Sequence, residues 1–301
     1  MKTWYICNHM GRLIDNLYTF LSTEGFQCSL QMRHGMEVLC IILKNGLTKT
    51  ILPIETSAKT TNDAEVRSRF IEDCIFFIKS MENEYPLIIT EDRWNRDCLT
   101  MKKRVLTHLE IFSPIYARNC EIKRIDKSTA QEFLKKSHSY GHAACRYCYG
   151  LFLKRHTGKM SRSIPTGTLV AVATFSNARK WKKEAKIIRS YEWTRYASLP
   201  EIRLSGGMGK LLKAFIQEIQ PDDIMSYADL EWSEGDVYKE LGFTLEGQKA
   251  PVMFGIDNVS WERFPIRSAV CEETRTTHSR HPLYFQNFGS NKYRLKLTEY
   301  K

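Results

Sequence analysis

Residues 167–176 read GTLVAVATFS, an almost unbroken apolar run rich in Val, Ala and Thr. Such a run reads as a strongly buried strand, and other elements have to cover it. The stretch around it predicts what those elements are. CEIKRI is a strand, and DKSTAQEFLKKSH is a helix with Asp126 as its N-cap. YGLFLKRHTG runs from a strand into a turn, and GKMSRSIPTG is a loop. After the buried run come the strand IIRSYEWTRYAS, the helix KLLKAFIQEI, the strand DIMSYAD, the short helix EGDVYKELG, and strands at FTLEG and VMFGI. From about residue 116 the order is therefore β-α-loop-β-β-β-α-β-α-β-β. It predicts a mixed central sheet flanked by helices.

The first 115 residues or so read as a separate, smaller α+β domain. EVLCIIL and KTILPI are β-like and are joined across Asn45-Gly46. NDAEVRSRFIEDCIFFIKSM has helical spacing, with Asn62 or Asp63 as its cap. YPLIIT is a short buried strand, and RDCLTMKKRVLTHLEIF is a second helix that stops near Ser113-Pro114. The basic cluster Lys102, Lys103 and Arg104 sits on that helix, either as a solvated face or as a face for phosphates. Residues 258–301 are a polar, basic and aromatic extension with no clear period. The expected division is thus 1–115, 116–257 and 258–301.

Apolar residues make up 43% of the 301 and charged residues 26%, which excludes a disordered chain. The formal charge is +11 and the pI about 9.2, a balance that favours polyanionic partners, namely nucleic acid or a membrane surface. No apolar run reaches the roughly 18–20 residues that span a bilayer, so no membrane partner is expected. The N-terminal stretch is not a signal peptide, because Asn8, His9, Arg12 and Asp15 interrupt its apolar residues. Nine scattered cysteines then read as reduced thiols, and the expected location is the cytoplasm.

LPEIRLSGGMGKLLKAF places a Gly-rich turn between a strand and an amphipathic helix. Gly206, Gly207 and Gly209 let a ligand approach the backbone closely, and the helix start offers unpaired N–H groups. Arg203 and Lys210 flank the turn with positive charge, so a diphosphate is a natural ligand. Close packing alone is the other use of such a turn. Neither G-x-x-x-x-G-K-[ST] nor G-x-G-x-x-G is present.

Arg203-Leu204-Ser205-Gly206 resembles the first half of the R/Q-x-x-G-x-G/A loop of Gcn5-related N-acetyltransferases, which holds the diphosphate of an acyl-CoA. Met208 stands where that family has Gly or Ala, with Gly207 and Gly209 beside it. The element order is also similar to that fold. VYKELGF resembles the Y-x-x-L-G-F signature of the fold's last helix, whose Tyr protonates the departing CoA thiolate, and Tyr238 is the matching residue. GGMGKLLKAFI with PDDIMSYADLEWSEGDVYKELGF looks like a branch found in phages and mobile elements. That branch includes domains appended to homing endonucleases and Mom-type proteins that modify adenine in DNA. Its Ser-x-Ala-Asp strand end and downstream Tyr match Ser226, Ala228, Asp229 and Tyr238, and its opening helix ends in a His and a Gly, here His138 and Gly141. The resemblance covers about residues 116–256. It implies an N-acyltransferase that uses acetyl-CoA or a related acyl-CoA, with residues 203–210 holding the cofactor. Its acceptor would be an amine, expected on a nucleic-acid base, that of DNA in the manner of the Mom-type proteins. A nucleic-acid-binding module without catalysis and an acetyltransferase for a small amine or protein are the other two readings.

Asp229 ends the strand DIMSYAD, where a carboxylate can face a crevice and accept a proton from an amine. Glu192, on the preceding strand, is the alternative base. Ser176, Arg179, Ser226 and Trp232 are the polar or stackable neighbours that would meet the acceptor, with His138 and Tyr140 from the preceding loop. That loop, HSYGHAACRYCYG, also spells H-x3-H-x2-C-x2-C with His138, His142, Cys145 and Cys148. Structural zinc uses two separated ligand pairs, whereas these four crowd one short loop. No metal is expected, and the resemblance implies that this loop borders the acceptor site, as the matching segment does in that fold.

Overall fold

The computed structural model describes residues 12–56, 64–81, 85–156, 164–183, 186–266 and 283–299. Along the chain these form α1 (Leu13–Thr23), β1 (Gln27–Arg33), β2 (Met36–Ile42), β3 (Thr48–Ile54), α2 (Ala64–Ser80), β4 (Leu87–Thr90), α3 (Glu91–Arg96), α4 (Cys98–His108) and β5 (Ser113–Tyr116). Then follow β6 (Cys120–Arg124), α5 (Lys127–Ser137), β7 (Tyr147–Leu153), β8 (Leu169–Phe175), β9 (Arg179–Lys183), β10 (Lys186–Ser198), β11 (Ile202–Ser205), α6 (Gly207–Ile219), β12 (Asp223–Asp229) and α7 (Asp236–Glu240). The chain continues through β13 (Thr244–Lys249), β14 (Met253–Ile256), β15 (Arg263–Pro265), β16 (Leu283–Gln286) and β17 (Ser290–Lys296). The expected caps Asn62 and Asp63 lie outside the described residues.

Two units interleave along the chain, where the sequence suggested three consecutive spans. The first holds the described residues up to Lys102 together with Asp229–Ser233 and those of Ala250–Ser290. The second holds Lys103–Ala228, Glu234–Lys249 and the described residues from Asn291 onward.

In the first unit β1, β2 and β3 form an antiparallel meander, and β4 pairs parallel with β3 after the α2 crossover. Gly46 turns the β2–β3 hairpin with φ +82, the conformation expected at Asn45-Gly46. Ile71, Cys74 and Phe77 of α2 pack with Val38, Cys40 and Leu52, and also with Ile256, Phe285 and Phe288. Those last three explain the interleaving, since their rings and branched chain complete a core that α2 begins. They belong to or follow a three-stranded sheet ordered β15-β14-β16. The helix expected over 96–112 is present as α4, preceded by the short α3 and followed by the strand β5.

The second unit is built on an eight-stranded sheet ordered β13-β17-β12-β10-β8-β7-β6, with β9 paired to β10. The pairs from β6 through β10 are antiparallel, and β10 with β12 is parallel. The mixed sheet flanked by helices is therefore present. The buried run supplies β8, and alternate residues of the sheet serve two layers. Val172 and Cys148 pack with Ala130, Phe133 and Leu134 of α5. Ala173, Phe175 and Tyr149 pack with Leu211, Leu212 and Phe215 of α6. The rings of Phe175 and Phe215 stack at 3.8 Å between centroids. Asp126 caps α5 as expected, accepting from the Thr129 amide at 2.7 Å. The extension read as aperiodic contributes β17, whose Tyr293 is fully buried in this core.

Candidate active site

The Gly-rich turn joins β11 to α6. Gly206 takes φ +76, which only glycine adopts without strain. At Gly207 a Cβ would lie 2.6 Å from Leu204 Cδ2 and 2.9 Å from the Tyr196 hydroxyl, so close packing also requires glycine here. The Lys210 amide returns to the Gly206 carbonyl. The amides of Gly207, Met208 and Gly209 precede it in the first turn and have no carbonyl four residues back inside the helix. The expected positive flanks behave differently from one another. The Lys210 ammonium donates to the Ala117 carbonyl at 2.9 Å and to that of Cys120, so its charge is directed into the fold. Arg203 is exposed and stacks over Phe112. Leu204 and Met208 pack against the core, and Ser205 is exposed.

Behind this turn β10 and β12 pair in parallel from Ser190 with Asp223 to Glu192 with Met225, and there the pairing stops. Beyond it β10 turns toward β8 through a register shift between Trp193 and Arg195. Ser226 of β12 meets β10 by side chain instead, its hydroxyl donating to the Trp193 carbonyl at 3.0 Å. The Tyr238 hydroxyl from α7 lies 2.9 Å from the same serine oxygen. Ser226 is buried, so the structure places it as the partner of Tyr238. Burial pushes the Tyr238 phenol above its usual value, opposed by the serine hydrogen bond. Its ring stacks on Tyr293 at 5.3 Å.

Strand alternation puts Glu192, Met225 and Tyr227 on the opposite face of the sheet from Trp193 and Ser226. On that face a cavity of about 660 Å³ is lined by Ser176, Arg179, Glu192, Trp181, Tyr227 and Cys145, among others. Three expected site residues, Ser176, Arg179 and Glu192, thus meet in one place. The Ser176 hydroxyl accepts the Glu192 amide at 2.9 Å. Among the described residues the side chains of Glu192 and Arg179 make no hydrogen bond or ion pair. Arg294 also lines the cavity and is held by Asp223 and Glu246. Trp181, Tyr227 and Arg294 were not singled out in the sequence. Strand alternation in DIMSYAD carried the signal for Tyr227, while β9 and β17 had none.

His138 ends α5, and its Nδ1 accepts the Tyr140 amide at 3.1 Å, which folds the loop back on itself. The Gly141 carbonyl accepts from Arg195 Nε at 3.3 Å. The Cys145 and Cys148 sulfurs are 3.5 Å apart. Among the described residues no group of three or more His, Cys, Asp or Glu side chains is placed to hold a metal. Six cysteines there are free thiols, but Cys98 is disulfide-bonded, which departs from the expectation of reduced thiols throughout.

Asp229 and Trp232 pack in the first unit. Arg263 is buried between Asp92 (2.6 Å) and Glu231 (3.0 Å), and Arg93 joins Glu231 at 2.9 Å and Asp229 at 3.7 Å. The Arg93 guanidinium lies 5.0 Å from the Trp232 ring centre. Burial and the Glu231 carboxylate push the Asp229 carboxyl up to about 6, against the pull of Arg93. Tyr238 and Glu192 belong to the second unit.

No family model matches the chain. No curated protein matches its sequence. Among solved structures, the chain is similar to the NatC complex bound to Gag peptide and CoA at 12% identity and TM-score 0.34, over 60% of this chain and 99% of that one. It is similar to yncA, a putative acetyltransferase from Salmonella typhimurium with acetyl-CoA, at 14% identity and TM-score 0.33, over 60% and 96%. Arabidopsis thaliana NAA60 with a bisubstrate analogue gives 9% identity and TM-score 0.34, over 60% and 99%. Likeness at these TM-scores assigns neither fold nor activity to this chain. Among the described residues no helix is long and apolar enough to cross a membrane.

Proposed function

We propose that the second unit is an N-acyltransferase of the Gcn5-related kind that uses an acyl-CoA. The observation that carries this reading is the parting of β10 and β12 after Glu192 and Met225, with Tyr238 on one face and the Glu192 cavity on the other. Strands that separate at their carboxyl ends open a crevice through the sheet. The first-turn amides of Gly207, Met208 and Gly209 suit a diphosphate. An acyl-CoA would supply a thioester-activated acyl group.

Each protein group then has one task. Glu192 accepts a proton from the acceptor amine in the cavity. Tyr238 donates one to the leaving thiolate, for which a phenol is a competent acid. Ser176 fixes the Glu192 backbone, and Ser226 fixes the Tyr238 hydroxyl. Asp229 and Trp232 have their partners in the first unit and are given no catalytic task.

For the acceptor we propose an amine on nucleic acid, in the finer form a DNA base amine. The charge of +11, the exposed Arg179 and the aromatic Trp181 and Tyr227 at the cavity support it. The test is calorimetry with acetyl-CoA, followed by thiol release with DNA, RNA, acidic peptides and small amines. Saturable acetyl-CoA binding and acyl transfer to a nucleoside, seen by mass spectrometry, are expected. Absence of acetyl-CoA binding overturns the reading, and transfer only to peptides or small amines overturns its acceptor.

A further inference from the structure

We infer that Cys145 and Cys148 form a reversible thiol–disulfide pair in the wall of the Glu192 cavity. The two residues have C-x-x-C spacing. Both are free thiols, and their sulfurs already lie 3.5 Å apart. A disulfide needs ~2.05 Å, so closure requires a sulfur displacement of only about 1.5 Å. The two cysteines are held unequally. Cys148 is buried in β7, in register with Thr174 of β8. The chain between them is pinned by the Arg146 amide, which donates to the Phe175 carbonyl at 2.8 Å. Cys145 precedes the strand, is half-buried and lines the cavity. An oxidant entering from the cavity therefore meets Cys145 first, and it is the Cys145 sulfur that has to move.

With glutathione disulfide as oxidant the exchange is complete in two steps. The Cys145 thiolate attacks one glutathione sulfur, forming a mixed disulfide and releasing one glutathione thiolate. The Cys148 thiol gives its proton to solvent, and its thiolate attacks the Cys145 sulfur, releasing the second glutathione. Two protein thiols are oxidised to one disulfide while one glutathione disulfide is reduced to two thiols. Burial, with Cys145 beside it, pushes the Cys148 thiol up to about 12, so the second step is the slower one and accelerates as pH rises. Closure shifts the Cys145 sulfur along the wall that also carries Ser176, Asn177 and Arg179. The consequence for catalysis rests on the proposed function, whereas formation of the bond does not.

The experiment uses the full chain with excess glutathione disulfide, followed by alkylation of free thiols and tryptic mapping. Cleavage after Arg146 separates the two cysteines, so a bond between them joins two peptides. The joined species is expected in the wild type, lost on adding dithiothreitol, and missing from Cys145→Ser, whose circular dichroism should match the parent. Alkylation of both cysteines after exposure, or a glutathione adduct that persists on Cys145, overturns the inference. Stoichiometric zinc that prevents the exchange also overturns it. A joined peptide in a protein that transfers no acyl group would count against the proposed function and leave the thiol pair standing.

Discussion

The hydroxyls of Ser226 and Tyr238 are 2.9 Å apart, and the serine donates its only proton to the Trp193 carbonyl. The contact with Ser226 and the stack on Tyr293 fix where the Tyr238 hydroxyl sits. Tyr238 is held ready in one orientation, at the place where two strands part. On the proposed mechanism Tyr238→Phe keeps the ring stack on Tyr293 and removes the donor, so kcat should fall about 10²- to 10⁴-fold. Steady-state thiol release at saturating acetyl-CoA measures it, and an unchanged kcat removes Tyr238 from the chemistry.

Glu192→Gln should lower kcat by a similar ~10²- to 10⁴-fold without weakening acetyl-CoA binding, because Glu192 faces the cavity on the other side of the sheet. The pairing of a kinetic assay with calorimetry separates the two effects. Loss of acetyl-CoA affinity in this variant would show that the cavity is not the acceptor side.

Gly207→Ala forces a methyl group to within 2.6 Å of Leu204 and 2.9 Å of the Tyr196 hydroxyl. Overpacking of this kind costs about 1–3 kcal/mol. A drop in urea midpoint together with lost acetyl-CoA binding is expected. Gly209→Ala meets only Leu241, at 3.2 Å, and should be milder. Equal effects of the two would contradict the packing described for the turn.

Arg263 links two carboxylates that are completely buried. Removing it takes the paired guanidinium from Asp92 and leaves Glu231 with Arg93 alone, for a loss of about 3–5 kcal/mol. Arg263→Ala is therefore predicted to destabilise far more than an exposed change such as Arg69→Ala. Chemical denaturation of both decides the matter.

The raised Asp229 carboxyl implies a pH dependence with a definite sign. Its folded value of about 6 lies above the ~3.9 of a free aspartate, so between those values the folded chain keeps a proton that the unfolded chain has lost. The contribution of Asp229 to stability falls as pH rises through that window. Asp229→Asn should remove the fall, so the variant gains on the parent in urea midpoint from about pH 4 to 7. A difference that stays constant with pH would contradict the raised value.

Much of the second unit was legible because its signals are local. An unbroken apolar run, an Asp cap and a Gly-rich turn each declare themselves within a dozen residues. Tyr238 stands in a short signature and Glu192 on a strand that the sequence delimits, and the tasks given to them belong to the proposed mechanism. The role of Ser226 was not, because a hydroxyl bonded to a tyrosine 12 residues on looks the same in sequence as one facing solvent. The partners of Asp229 were hidden for a similar reason, since Arg93 lies more than a hundred residues earlier. Residues 283–299 misled most. Phe285 and Tyr293 look like scattered aromatics, yet each is anchored in a different core assembled from distant segments.

The position of β17 also constrains how this chain can fold during synthesis. It lies between β12 and β13, so the sheet of the second unit stays divided until residues 290–296 have been made. The core of the first unit likewise waits for Phe285 and Phe288. Both units close late over long loops, a topology that slows folding. A nascent chain halted near residue 257 would expose two unfinished cores at once, which is a natural substrate for a chaperone.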